Sequence, residues 1–204
     1  MRVLIDGKSS EALTPAQEKD IRQFREEASV QGQVLSADEA TTARGRQTRT
    51  IFAILWGVAA AVAVVMASLA GPADQPIVLP AAALILFLLG AFFVFNLRRR
   101  QQAWRRDLPR RLEGIAPAGT AIGVDAAGVT VGGQVHPWPA LAIEQVELGK
   151  YSSQRSTLFT LDRLALRGPE GLVVLDPGMM GNGHLLIGNA WRRLRAAAAG
   201  NAST

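Results

Sequence analysis

Residues 51–70 read IFAILWGVAAAVAVVMASLA, twenty consecutive residues without a charged side chain. At 1.5 Å per residue, a helix of this length spans about 30 Å, which matches the hydrocarbon core of a bilayer. Six residues later (71–76, GPADQP), a second uncharged run, IVLPAAALILFLLGAFFVFNL, occupies residues 77–97. A core helix of a soluble protein is the alternative for one such run. Two runs of nearly full span favour a transmembrane hairpin, and the fifty charge-balanced residues before it argue against a secretory signal peptide.

The basic residues are concentrated beside the second run. The chain has 204 residues and a formal net charge of +5, and residues 98–113 hold seven arginines against Asp107 and Glu113. A basic stretch beside an apolar segment indicates a membrane surface and argues against nucleic acid as a partner. Arginines outnumber lysines nineteen to three. Together with the abundant alanine, this bias is typical of a GC-rich bacterial genome.

The arginines also predict the orientation of the hairpin. Three of them precede the first run and three follow the second: Arg44, Arg46 and Arg49, then Arg98, Arg99 and Arg100. The turn at 71–76 contains neither Lys nor Arg. The positive-inside rule therefore places this turn outside and both termini in the cytoplasm, as expected for a multi-pass protein of the bacterial cytoplasmic (inner) membrane.

The basic juxtamembrane segment, residues 98–115, is expected to extend the second helix along the bilayer surface until Pro109 disturbs it. Its arginines and its tryptophan are the candidate contacts to anionic lipid headgroups: Arg98, Arg99, Arg100, Trp104, Arg105, Arg106, Arg110 and Arg111. The alternative is a topology anchor with one interfacial tryptophan.

Small residues mark one face of the first span. Ala53, Gly57 and Ala61 recur every four residues, a spacing that lets a second helix approach closely. The expected partner is the second span of the same chain, and a homodimer is the alternative. Neither span contains an ionisable residue, which argues against a transporter or channel.

The fifty residues before the hairpin are expected to form a cytoplasmic strand and helices. Val3-Leu4-Ile5 predicts a short strand, and Thr14-Pro15-Ala16-Gln17 has the form of a helix start. Ser36-Ala37-Asp38-Glu39 is a capping box, and its helix is expected to run into the first span.

Residues 116–200 show alternating apolar residues instead of helical periodicity. We expect five strands followed by one amphipathic helix, which together make a small antiparallel β-domain. The expected strands lie at 120–124, 128–131, 141–148, 157–166 and 172–175, and the helix at 185–199.

This order of elements resembles the YcxB-like proteins, bacterial membrane proteins with a pleckstrin-homology-like (PH-like) domain. The likeness is carried by the opening strand with residues 14–24, by Asp125-Ala126-Ala127-Gly128-Val129, and by Trp138, Ile143 and Val146. It implies an α+β membrane protein with a two-helix transmembrane hairpin. It also implies a small antiparallel β PH-like cytoplasmic domain, capped by the C-terminal helix, with the 3–5 strand joining its sheet. The resemblance implies no catalytic chemistry.

Motifs for chemistry are sparse. The chain has no cysteine, and His136 and His184 lack carboxylates at metal-ligand spacing. Gly181-Asn182-Gly183 lacks the Lys-Ser/Thr of a phosphate loop and is interpreted as a flexible connection. We therefore expect no enzyme, no cofactor and no metal site. The expected partners are the lipid bilayer with its anionic lipids and an unidentified protein, and the alternative function is an accessory or assembly subunit of a larger membrane complex.

Overall fold

The two ends of the chain fold together, and the apolar middle forms a unit of its own. In a computed structural model, the first unit combines Met1–Ala40 with Arg110–Thr204, and the second is Thr41–Pro109. We call them the sheet unit and the helical unit. The structure describes residues 2–10, 13–14, 21, 27–69, 75–152 and 157–201.

Nine strands in the described residues build the sheet unit as two sheets. The five-stranded sheet has the order β2-β1-β7-β8-β9. Its strands are β1 (Arg2–Ile5), β2 (Lys8–Ser10), β7 (Ala142–Ser152), β8 (Thr157–Gly168) and β9 (Gly171–Leu175). Among the pairings of these five described strands, β1–β7 is parallel and the others are antiparallel.

The four-stranded sheet is an antiparallel meander of order β3-β4-β5-β6. Its strands are β3 (Val30–Gln33), β4 (Ala121–Val124), β5 (Gly128–Val131) and β6 (Gln134–Pro137). A 3-10 turn, Trp138–Ala140, leads from β6 towards β7. The predicted α+β class with antiparallel-rich sheets is therefore confirmed.

Three helices complete the described fold: α1 (Ala37–Leu69), α2 (Gln75–Leu112) and α3 (Gly183–Asn201). The predicted capping box opens α1. The Ser36 N–H donates to Glu39 Oε2 over 2.8 Å, and the Glu39 N–H donates to Ser36 Oγ over 3.2 Å. The predicted helix start at residues 14–17 lies largely outside the described residues.

The core of the sheet unit lies where the inner faces of the sheets meet α3. Alternation on β8 places Leu164 and Leu166 inside with no exposed surface, and α3 contributes Leu186 and Ile187, which are equally buried. Burial of a side chain of this size contributes about 1.5–3 kcal/mol. The amphipathic face predicted for the last helix thus covers the core.

The N-terminal strands belong to the same sheets as the C-terminal residues. In β1, Val3 is fully buried and pairs with Val146, while β3 pairs with β4. The sequence pattern predicts residues 1–50 and 116–200 as separate segments, with only β1 as a sheet partner between them. The strand β3, VQGQ, carries no apolar alternation, so only its pairing reveals it.

The helical unit contains most of α1 and α2. Among the described residues, one helical segment, Ala37–Val65, is long and apolar enough to cross a membrane. The helices meet where Phe52 stacks on Phe93 with ring centroids 4.3 Å apart. A Cβ on Gly90 would stand 3.2 Å from Trp56 Nε1, so the glycine admits the indole. Residues 71–74 of the predicted external turn lie outside the described residues.

Candidate functional site

The predicted headgroup residues divide into two groups in the structure. Arg98, Arg99, Arg100, Arg105 and Arg106 are exposed along α2. None of these five forms an ion pair with another described residue. They are therefore available to an anionic surface.

Trp104 requires a correction, because it does not face outwards. The side chain is only 4% exposed. Its Nε1–H donates to Thr41 Oγ1 over 3.3 Å, and the Arg44 guanidinium lies 4.5 Å from the ring centroid. Helical phase brings the indole against the first turns of α1. Trp104 thus packs between the helices and is not an interfacial headgroup contact.

Arg110 and Arg111 form ion pairs that hold the end of α2 in the sheet unit. Arg110 Nη2 lies 2.6 Å from Glu147 Oε1 on β7. Arg111 Nη1 donates to both Asp176 oxygens, over 2.9 and 2.8 Å. Pro109 does not end the helix, which continues to Leu112. Because both are paired within the fold, the lipid proposal is argued from the other five, and a headgroup contact by Arg110, whose side chain is 51% exposed, stays a prediction.

Asp176 is the most deeply buried acid among the described residues, with no exposed surface. Burial raises the pKa of Asp176, while the Arg111 guanidinium and the Gly178 N–H, which donates over 2.8 Å, oppose that shift. Without Arg111 the buried carboxylate would lose its ionic partner, a loss that typically costs several kcal/mol.

Arg163 caps the end of α2, and it is not among the site residues that the sequence predicts. This side chain is 8% exposed on β8. Its guanidinium donates to the carbonyl of Arg110 over 2.8 Å and to the carbonyl of Glu113. Carbonyls in the last turn of a helix lack intrahelical partners, so a buried guanidinium satisfies them well. In the sequence Arg163 is simply a polar residue within an alternating strand, and nothing local indicates its partners.

A cavity of about 470 Å³ lies between this helix end and the outer face of the five-stranded sheet. Its charged lining consists of Arg2, Arg110, Arg163, Glu113, Glu144 and Glu147. Three positive and three negative side chains cancel, and several of them already pair with one another or with the backbone. The cavity lining therefore has no net charge and favours neither anions nor cations.

The small-residue stripe lies on the exposed side of α1. Ala53, Gly57 and Ala61 are all exposed, and no described atom lies within 4 Å of a Cβ built on Gly57. The described contacts to α2 come instead from Phe52 and Trp56. Close helix packing through the stripe stays a prediction, and it requires a helix other than α2.

The described part of the chain contains no cluster of candidate metal ligands. No group of three or more His, Cys, Asp or Glu residues there is arranged to hold a metal ion. Comparison with family models, with curated proteins and with solved structures finds no match to this chain. The assignment of function therefore rests on the sequence and the geometry.

Proposed function

We propose that this chain is a membrane-anchored, non-catalytic interaction module. In this proposal, α1 and α2 form a transmembrane hairpin in the bacterial inner membrane, and the sheet unit is a PH-like domain at its cytoplasmic face. The domain binds a protein partner or the anionic inner leaflet.

One observation supports the hairpin: strands that precede the helical unit in the sequence pair with strands that follow it. β1 hydrogen-bonds to β7, and β3 hydrogen-bonds to β4. Strands joined in this way must lie on one side of a bilayer, because open sheet edges do not occur in lipid-exposed hydrocarbon. If α1 crosses the membrane, the chain has to return, and α2 is the only other described helix between the paired strands.

The surface of the helical unit supports a lipid environment. Large apolar side chains are exposed along both helices, among them Ile54, Leu55, Val58, Val62, Val64, Phe87, Leu88, Phe92 and Phe95. Apolar area of this kind is unfavourable in water by roughly 25 cal/mol per Å². A bilayer removes that cost.

The order of elements supports the PH-like proposal. A four-stranded meander is followed by β7, β8 and β9 and then by α3, whose apolar face covers the core. In this proposal the two sheets and α3 correspond to the half-barrel closed by a terminal helix that the YcxB-like resemblance implies. The hairpin is inserted between β3 and β4, and β1 adds to the five-stranded sheet beside β7.

The five exposed arginines are the proposed contacts to anionic phospholipid. Each contributes about 1 kcal/mol near a charged surface, less the repulsion among them. Since the hairpin already anchors the protein, this energy acts on the placement of the segment that leads into the sheet unit, and not on membrane residence.

A cysteine probe tests the lipid contact. The chain has no cysteine, so a fluorophore on Ala103→Cys is the only label. In nanodiscs of phosphatidylglycerol and phosphatidylcholine, the probe should be shielded from an aqueous quencher, and high salt or pure phosphatidylcholine should remove the shielding. The double variant Arg105→Gln/Arg106→Gln should lose it, whereas the control Arg2→Gln/Arg167→Gln, exposed in the sheet unit, should retain it. Equal quenching in both lipids would refute the lipid contact.

The exposed stripe favours the second candidate function, an accessory or assembly subunit of a larger membrane complex. Open space at Gly57 leaves room for a helix of another chain. An accessory subunit should co-purify from native membranes with a larger partner in stoichiometric amount, and Gly57→Leu should abolish that association. An interaction module should instead purify as a monomer or a dimer.

A further inference from the structure

The glycine-rich segment that sequence analysis interpreted as a flexible connection is a packed loop. Residues 176–182, which we call the root loop, join β9 to α3. Asp176 and Met179 have no exposed surface, and Met180 is 4% exposed. Asn182 adopts a left-handed backbone conformation, φ 56°, which asparagine tolerates better than most residues.

One side of the root loop holds the segment that enters α1. The Leu35 N–H donates to the Met179 carbonyl over 2.8 Å, and the Gly181 N–H donates to the Gln33 carbonyl over 2.9 Å. Asn182 Nδ2 donates to the Gln31 carbonyl over 3.0 Å. The loop thus hydrogen-bonds along β3 and the residues that follow it. The last of these bonds is at Leu35, two residues before α1 begins.

The other side of the root loop holds the end of α2. Arg111, in the last turn of that helix, binds both oxygens of Asp176. The same carboxylate accepts the Gly178 N–H and so shapes the loop. One guanidinium nitrogen, Arg111 Nη1, contacts both oxygens of a fully buried carboxylate, so this charge-assisted pair holds the end of α2 close to the loop.

We propose that the root loop couples the beginning of α1 to the end of α2. Displacement of either of these helix ends, which we call the helix roots, is transmitted through the loop to the other. The loop also leads into α3, since the Leu185 and Leu186 N–H groups donate to the Asn182 carbonyl. A ligand that repacks α3 would therefore shift both helix roots, and the reverse holds by linkage. This inference goes beyond the proposed function, because it requires neither a particular lipid nor a particular partner.

Amide hydrogen exchange of the full chain in detergent tests the coupling across the loop. Arg111→Gln removes the ion pair on the α2 side, and the Leu35 amide on the α1 side is the readout. We expect exchange at Leu35 to accelerate roughly tenfold or more, the effect of losing a charge-assisted hydrogen bond. The matched control is Arg110→Gln, one residue earlier, whose partner Glu147 lies on β7 and not on the loop. It should leave Leu35 unchanged.

The Val146 amide in the central strand β7 reports whether the sheet unit as a whole stays folded. Acceleration at Leu35 with Val146 unchanged supports the coupling. Unchanged exchange at Leu35, or equal acceleration at both sites, overturns it. If Arg111→Gln does not fold, Arg111→Lys decides by the same criterion, because it keeps the charge but shortens the side chain by one bond and so weakens the contact with Asp176. The measurement contains no anionic lipid, so its outcome is independent of the lipid test.

Discussion

Replacing Arg163 with methionine should weaken the attachment of the α2 end to the sheet unit. Arg163 is 8% exposed and donates to the Arg110 and Glu113 carbonyls. Methionine keeps much of the apolar stem but removes both donors. A hydrogen bond to a charged group contributes about 1.5–3 kcal/mol. Because the two carbonyls belong to exposed residues and can be rehydrated, we expect a loss of stability equal to one such hydrogen bond, about 1.5–3 kcal/mol.

The assay is urea unfolding of the full chain in mild detergent, followed by the fluorescence of Trp138 and Trp191 after Trp56 and Trp104 have been replaced with phenylalanine. The matched control is Arg167→Met on the same strand, whose side chain is 70% exposed and pairs with Glu144. This control should unfold at the parental midpoint, since exposed pairs contribute little. Equal midpoints for the two variants would refute the capping role of Arg163.

Two further predictions concern the residues that lead into α1. Gly32→Ala should destabilise the sheet unit in the same assay, because its Cβ would overlap the Gly181 carbonyl and stand 2.8 Å from Leu186 Cδ1. Gly123→Ala on the neighbouring strand meets nothing closer than 3.6 Å and should be tolerated. The hydrogen bond from the Ser36 N–H holds the pKa of Glu39 below its ordinary value of 4.5. The ionised carboxylate therefore stabilises α1 fully above pH 4.5, and this stabilisation is lost as the pH falls through the lowered pKa. Carboxyl NMR titration should show this depressed pKa, and Ser36→Ala, which removes the hydroxyl whose hydrogen bond also lowers the pKa of Glu39, should raise it; an unchanged pKa would contradict the capping argument.

Elements with strong local periodicity could be predicted from the sequence. β5 was predicted at its observed bounds, 128–131, and the capping box at residue 36 marked the start of α1. Both signals depend on residues a few positions apart, whose chemistry is visible without the fold. The short strand β6, QVHP, was missed because its polar His136 is buried while its apolar Val135 is exposed, so the sequence shows no apolar alternation.

Contacts between distant residues could not be predicted in the same way. Arg110 and Arg111 are adjacent and chemically identical, yet one pairs with Glu147 and the other with Asp176, 65 positions away. Helical phase separates the two side chains by about 100° but does not say what stands opposite each. The burial of Asp176 depends on the pairing of β9 and on the α2 end, neither of which a local pattern encodes.

Cysteine accessibility tests most directly the claim that a hairpin anchors a domain built from both flanks. Single cysteines replace Lys8 before the hairpin, Asp74 in the predicted external turn, and Glu170 after the hairpin; Lys8 and Glu170 are exposed in the sheet unit. In intact spheroplasts, a membrane-impermeant maleimide should label only Asp74→Cys, and permeabilisation should expose Lys8→Cys and Glu170→Cys together. Labelling of Lys8→Cys and Glu170→Cys from opposite sides of the membrane would contradict the account.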